Sequence, residues 1–173
     1  MRVRRIVTGH DESGAARVVI DDVDKNGRTT GEGNSSVTIW SSDRMPCDIS
    51  KGVSVEDMGA RSTGTPPAPN GTRFIVTEMP PGAAGKMHRT ETIDYVIVLA
   101  GEIELALDTE VVKAKAGDAL VLRGTNHAWA NRGTVPARMA SVLVDAEPLG
   151  IGHPVPRGQS AGQWSATSGG RAT

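Results

Sequence analysis

The apolar runs of this chain are short. Glycines and prolines, 21 and 10 among 173 residues, fall singly and in pairs along its whole length and cut it into segments too brief for ordinary helices. Between the breaks the apolar residues are mostly β-branched and alternate with polar ones, the period of strands that bury one face. Aromatics make up only 3% of the chain, so a core has to be packed mainly by Val, Ile, Leu, Ala and Met. A hydrophobic content of 38% supports one good-sized domain. Many short strands with frequent turns predict an all-β, antiparallel sandwich or barrel with little helix.

In order, residues 2–8 and 16–21 read as a first pair of strands, joined by a turn in which His10 is a solvated surface residue. Residues 22–36 are polar and read as a long loop. The strand at 37–41 carries Trp40, a large apolar side chain expected in a core or an interface rather than a pocket. Residues 45–70 are mixed, with one helical turn capped at Ser54-Val55-Glu56-Asp57, and Cys47 reads as an inert packing thiol because no basic residue adjoins it. The strand at 72–79 feeds a central stretch at 80–131, followed by a last strand at 137–144. Within that stretch, residues 119–122 are nearly continuous in apolar side chains and are expected to be buried on both faces. One domain is predicted over residues 1–148, with a poorly ordered tail at 149–173.

A net charge of −1 and a pI of about 6.4 predict neither nucleic-acid binding nor a membrane-attracting patch. One cysteine cannot form an internal disulfide and fits a reducing compartment. The basic N-terminus lacks an apolar signal core, and no apolar run reaches membrane-spanning length. The expectation is a soluble cytoplasmic protein, in which Asn34-Ser35-Ser36 and Asn70-Gly71-Thr72 are ordinary loop residues rather than glycosylation sites. Open edge strands at the N-terminus predict a homodimer, with exchange of the first strand as one route.

The candidate site residues sit where one strand turns into the next. The chain reads Gly82, five residues, His88-Arg89-Thr90, three residues, Asp94, six residues, Gly101; later come Gly117, a five-residue strand, Arg123-Gly124-Thr125, then His127, three residues and Asn131. This framework resembles the two motifs of the cupin superfamily, and residues 80–131 are closest to small single-domain cupins of the conserved-barrel kind. The resemblance implies a double-stranded β-helix, the jelly-roll barrel. It also implies a metal set that, carried over position by position, falls on His88, Thr90, Asp94 and His127. Thr90 replaces a histidine of the family pattern and Asp94 replaces a glutamate.

On chemistry alone, His88, Asp94 and His127 remain as a facial triad for iron, manganese, nickel or zinc. The alternative is a barrel without metal in which the same three side chains only hydrogen-bond one another. No organic cofactor is implied. Strand alternation predicts a mostly apolar cavity presenting His88, Thr90, Asp94 and His127 among Met79, Val96, Val98 and Trp129, suited to a small aromatic, enolic or polyketide-like ligand. Thr90, Val96, Arg123 and Trp129 are the expected substrate contacts, with Arg123 as carboxylate clamp because alternation turns Arg89 outward; Glu91 is expected in solvent. The functional expectation is a metal-dependent dioxygenase, isomerase or decarboxylase with His88, Asp94 and His127 as catalytic groups. Without metal, a histidine oriented by Asp94 would act as general base. A non-catalytic binding protein, or a barrel whose site has decayed, is the competing class.

Overall fold

A computed structural model describes residues 1–23, 25–29, 33–49, 56–61 and 64–162. Among them there is no helix, and every strand pairing is antiparallel. Eleven strands follow in order: β1 (Arg4–His10), β2 (Ala16–Val23), β3 (Gly27–Thr29), β4 (Ser35–Ser42), β5 (Thr72–Met79), β6 (Thr92–Ala100), β7 (Glu102–Ala106), β8 (Val111–Lys115), β9 (Ala119–Arg123), β10 (Ala128–Ala130) and β11 (Ala137–Asp145). A six-stranded sheet runs β3-β4-β5-β11-β6-β9 and a three-stranded sheet runs β10-β7-β8, while β1 and β2 form a hairpin of their own. None of the described helices is long and apolar enough to cross a membrane, there being none at all.

The core lies between the two larger sheets. Met79, Val96, Val98, Leu122, Ala137 and Met139 come from the six-stranded sheet, and Ile103, Leu105 and Ala114 from the three-stranded one. Alternation decides which residues enter it: Thr92, Asp94, Val96 and Val98 of β6 point inward, while Tyr95, Ile97 and Leu99 are about half exposed on the outer face. Gly101 makes the turn from β6 to β7 at a φ of 71°, a conformation that a side chain would strain. A Cβ there would also stand 2.7 Å from the carbonyl oxygen of Pro136.

Several expectations are corrected. The loop expected at 22–36 contains β3, whose Gly27–Thr29 pairs with Ser35–Val37. Its residues are all exposed, so this edge strand carries no apolar alternation to reveal it. Strand β9 is buried on one face only, since Ala119, Val121 and Arg123 are exposed. Cys47 is exposed rather than packed. Of the helical turn expected at 54–57, Ser54 and Val55 lie outside the described residues, and Glu56 and Asp57 are not helical. Asp57 instead holds Arg5, a 2%-exposed arginine that also pairs with Asp22 and so ties the N-terminal hairpin to the body.

Residues 149–162, expected as loose tail, are coil seated on the barrel. Val155 is 3% exposed and its N–H donates to the Arg89 carbonyl, and Arg157 pairs with Asp145. Residues 163–173, with Trp164, lie outside the described set.

Candidate functional site

His88 lies just before β6 and His127 just before β10, and the two form an isolated antiparallel bridge. The His88 N–H donates to the His127 carbonyl at 2.9 Å, and the His127 N–H to the His88 carbonyl at 2.7 Å. This bridge, with a second between Ala84 and Ala130, closes the approach segment 80–88 against the segment leading into β10. Asn131 locks the same arrangement. It is 0% exposed, its amide nitrogen donates to the carbonyls of Met79 and Val135, and its side-chain oxygen accepts from the Gly133 N–H.

The bridge brings the imidazoles together, with ring centroids 4.5 Å apart and planes tilted by 50°. Trp129 stands edge-on to His127 at 5.9 Å between centroids and packs against the core. Each histidine has its Nδ1 beside a main-chain carbonyl two residues upstream, Lys86 for His88 at 2.9 Å and Thr125 for His127 at 3.0 Å. A carbonyl can only accept, so both Nδ1 atoms carry the proton and both Nε2 atoms present a lone pair. Burial lowers the His88 pKa against the opposing effect of the Lys86 carbonyl. Burial, and then the neighbouring His88, push His127 down to about 4. Both imidazoles are therefore neutral at pH 7.

A buried chain of hydroxyls runs from Thr90 onto the inner face of β6. The Thr92 hydroxyl donates to Asp94 Oδ1 at 2.6 Å, and since its single proton is spent there, Thr90 is the donor in the 2.6 Å bond to Thr92. Thr90, Thr92 and Asp94 are 2%, 2% and 7% exposed. Burial pushes the Asp94 carboxyl up to about 6, with the Thr92 bond pulling the other way.

The expected metal set is only partly assembled. His88 and His127 meet, with the tautomer a metal would require. Among the described residues, however, no three His, Cys, Asp or Glu side chains gather into a group that could hold an ion. The Asp94 carboxylate is engaged along its own strand by Thr92, and Thr90 offers a weak neutral oxygen in place of the second histidine. Two donors are present where the family pattern needs three or four, so these residues do not fit a resident metal. Nor does Asp94 orient a histidine, a task that falls to the Lys86 and Thr125 carbonyls.

Of the expected substrate contacts, Trp129 stands against the pair, Thr90 is buried and bonded to Thr92, and Val96, 2% exposed, belongs to the apolar core. Neither arginine is where it was expected: Arg123 does not face the interior, and Arg89 is not in solvent. Arg123 is exposed, on the outward parity of β9. Arg89 is 5% exposed, covered by the coil around Gly152 and Val155, and its Nη2 lies 3.5 Å from Glu91, which is thereby paired rather than free in solvent. Thr92 belongs to neither sequence motif, although its two-residue spacing from Thr90 and Asp94 is the signal that puts it on their face.

A family model described as a cupin domain matches residues 75–144. The phomopsin biosynthesis cluster protein C′ of Diaporthe leptostromiformis is 47% identical over 92 residues, which are 50% of this chain and 49% of that protein, so the match spans about half of the relative's length. A cupin-domain-containing oxidoreductase of Aspergillus ruber is 32% identical over 149 residues, covering 83% of this chain and 73% of that protein. Among solved structures, the cupin domain of Schizosaccharomyces pombe Cnp3 superposes with a TM-score of 0.51 at 16% identity, over 82% of this chain and 87% of that one, a likeness of fold.

Proposed function

Because this chain belongs to the cupin family, we propose that it is a small-molecule enzyme that moves a proton on an aromatic, enolic or polyketide-like substrate held beside His88 and His127. The observation that carries this reading is the pair of neutral imidazoles with both Nδ1–H groups fixed by carbonyls. Their two Nε2 lone pairs have no protein partner among the described hydrogen bonds, and Trp129 provides an apolar flank. His88, the less buried of the two, takes the proton from carbon and returns it to a neighbouring carbon or to the enolate oxygen. His127 Nε2 accepts a hydrogen bond from a substrate hydroxyl. The outcome is isomerisation or, for a β-keto acid, decarboxylation, in which the Cα–carboxyl bond breaks to release CO₂ and the acid's own proton, carried by His88, goes to Cα.

The test is solvent deuterium exchange into a panel of β-diketones and β-keto acids. His88→Gln should lower exchange by about 10²–10⁴. Equal exchange in the variant, or ligand binding without exchange, would sink the proton-transfer reading and leave a binding protein. Elemental analysis of untagged protein belongs beside it, because near-stoichiometric iron, nickel, manganese or zinc that disappears in His88→Ala would overturn the metal-free assignment.

The name of the Aspergillus ruber relative favours a second reading, oxidation of the same class of substrate with O₂ as co-reactant. Substrate-dependent oxygen uptake supports it, and turnover with no uptake removes it.

A further inference from the structure

The outer face of the six-stranded sheet is apolar and divided in two. Over β4 and β5 it is closed, with Val37 and Val76 3% and 6% exposed. The N-terminus lies against that half, the Met1 ammonium 3.5 Å from Glu78. Over β6 and β9 the face is open, and Tyr95, Ile97, Leu99 and Val121 are each about half exposed.

Register makes these side chains one patch rather than four scattered ones. Tyr95 stands opposite Val121 on β9 and Val142 on β11, and Ile97 opposite Ala119 and Ala140. Directly opposed residues of an antiparallel ladder leave the same face, so the patch runs unbroken across three strands. Single apolar residues on a surface need no explanation, but a contiguous patch on the order of 400 Å² does. Strand β9 is the edge of the sheet, so no further strand of the ladder lies beyond Val121.

The charges at the two ends of β9 point to what covers the patch. Arg123 closes the strand on the outer parity, and Asp118 immediately precedes its first residue, roughly 17 Å away along an extended chain. Both are exposed, and among the described residues neither forms an ion pair. The Asp118 carboxylate is held in place by the Lys115 main-chain N–H at 2.9 Å. At the far corner of the face Arg138 is already neutralised by Glu78. A strand with an anion at its start and a cation at its end is complementary to a copy of itself running the other way.

We propose that the open half of this face is a homodimer interface, on which a second copy lays its own open half about a twofold axis crossing the strands. With the axis over the Tyr95–Val121 row, β6 lies on β6 and β9 on β9 in antiparallel sense. Val121 then meets Val121, Ile97 meets Ile93, and Arg123 arrives over Ala119, beside Asp118 of the other copy. Sheets packed face to face stand about 10 Å apart, which half-exposed side chains from both sides fill. The patch accounts for about half of the ~800 Å² per partner that a stable interface buries, close to the usual apolar share. The histidine pair takes no part in it.

Sedimentation equilibrium of the whole chain tests the assignment. The wild type should be a dimer with a dissociation constant of ~10 μM or below. Ile97→Arg should weaken it at least about 100-fold without changing the melting temperature, because that side chain is half exposed within one copy. Arg123→Asp should weaken it about tenfold or more, and adding Asp118→Arg should restore it. Ile6→Arg, on the exposed side of the N-terminal hairpin, should leave it unchanged. A monomeric wild type at ~100 μM, which would leave the face to another partner, overturns the proposal. So does unchanged association in Ile97→Arg, or a dimer abolished by Ile6→Arg, which would place the contact on the hairpin. Arg123→Asp without effect, or without rescue by Asp118→Arg, overturns the twofold arrangement. Should Ile97→Arg not fold, Val121→Glu takes its place.

Discussion

His88 and His127 are joined twice over, by reciprocal main-chain hydrogen bonds of 2.9 and 2.7 Å and by rings whose centroids are 4.5 Å apart. The bridge holds the backbones while the carbonyls of Lys86 and Thr125 hold the rings, so neither imidazole is free to choose its tautomer. Long-range proton–nitrogen NMR at pH 7 should show both as Nδ1–H with bare Nε2. His127 should stay neutral until the pH falls to about 4. An Nε2–H pattern, or a His127 titration near the ordinary histidine value, would contradict this geometry.

Asp94 makes stability depend on pH in a defined direction. Its folded pKa of about 6 lies above the ordinary 3.8, so between those values the folded state holds a proton that the unfolded state has released. The contribution is fully present below 3.8 and is lost as pH rises through 6. Asn in its place keeps an oxygen for Thr92 and removes the titration. Asp94→Asn should therefore gain about 2.5 kcal/mol relative to the wild type between pH 4 and pH 8 in urea unfolding. The His127 effect has the opposite sign, costing stability as pH falls below the ordinary histidine range, but it is common to both proteins and cancels in the difference. A difference independent of pH would show that Asp94 does not titrate abnormally.

Asn131 satisfies two carbonyls and one N–H from a position with no solvent exposure. Asn131→Ala should cost about 3 kcal/mol in chemical denaturation, because the groups it leaves behind lose their partners. Asn131→Asp should be no better, since a carboxylate cannot donate to the Met79 and Val135 carbonyls. A cost below about 1 kcal/mol in both would mean that the lock is not needed.

Two turn glycines with similar backbone conformations should respond differently to alanine. At Gly101, φ is 71° and a Cβ would meet Pro136 O at 2.7 Å and Ala137 Cα at 2.9 Å. At Gly117, φ is 97° and nothing lies within 4 Å. Gly117→Ala should cost about 1 kcal/mol, the strain of the left-handed region alone. Gly101→Ala adds backbone overlap and should cost at least twice as much; equal thermal shifts would remove the packing explanation.

Period-2 patterning was enough to place Asp94, Val96 and Val98 on one inner face and to align His88 with His127, because a strand offers its side chains only two directions. It failed where burial comes from outside the ladder. Arg89 does lie on the outward parity, but the coil at 152–155 covers it, and no local pattern announces a segment folding back from so far along the chain. Val121 shows the converse, an apolar side chain on an outer face with nothing described above it. Arg73 was hidden for a third reason. It sits as one polar residue in a strand of mixed pattern, and only the folded structure shows it buried, at 9% exposure, opposite Ser41. Sequence motifs singled out two histidines that the fold brings together; they carried no information about Asp94 being engaged by Thr92.

The last of the described strands is also the one the six-stranded sheet is built around. β11 pairs with β5 on one side and β6 on the other. A nascent chain stopping short of Ala137 carries both neighbours with their facing edges open and lacks Met139 and Leu143 from its interior. Such a chain has no way to complete the sheet by folding piecewise from its start. Completion of the sheet is thus deferred until β11 has been made, and until then β5 and β6 are the edges that a chaperone, or another unfinished chain, will find first.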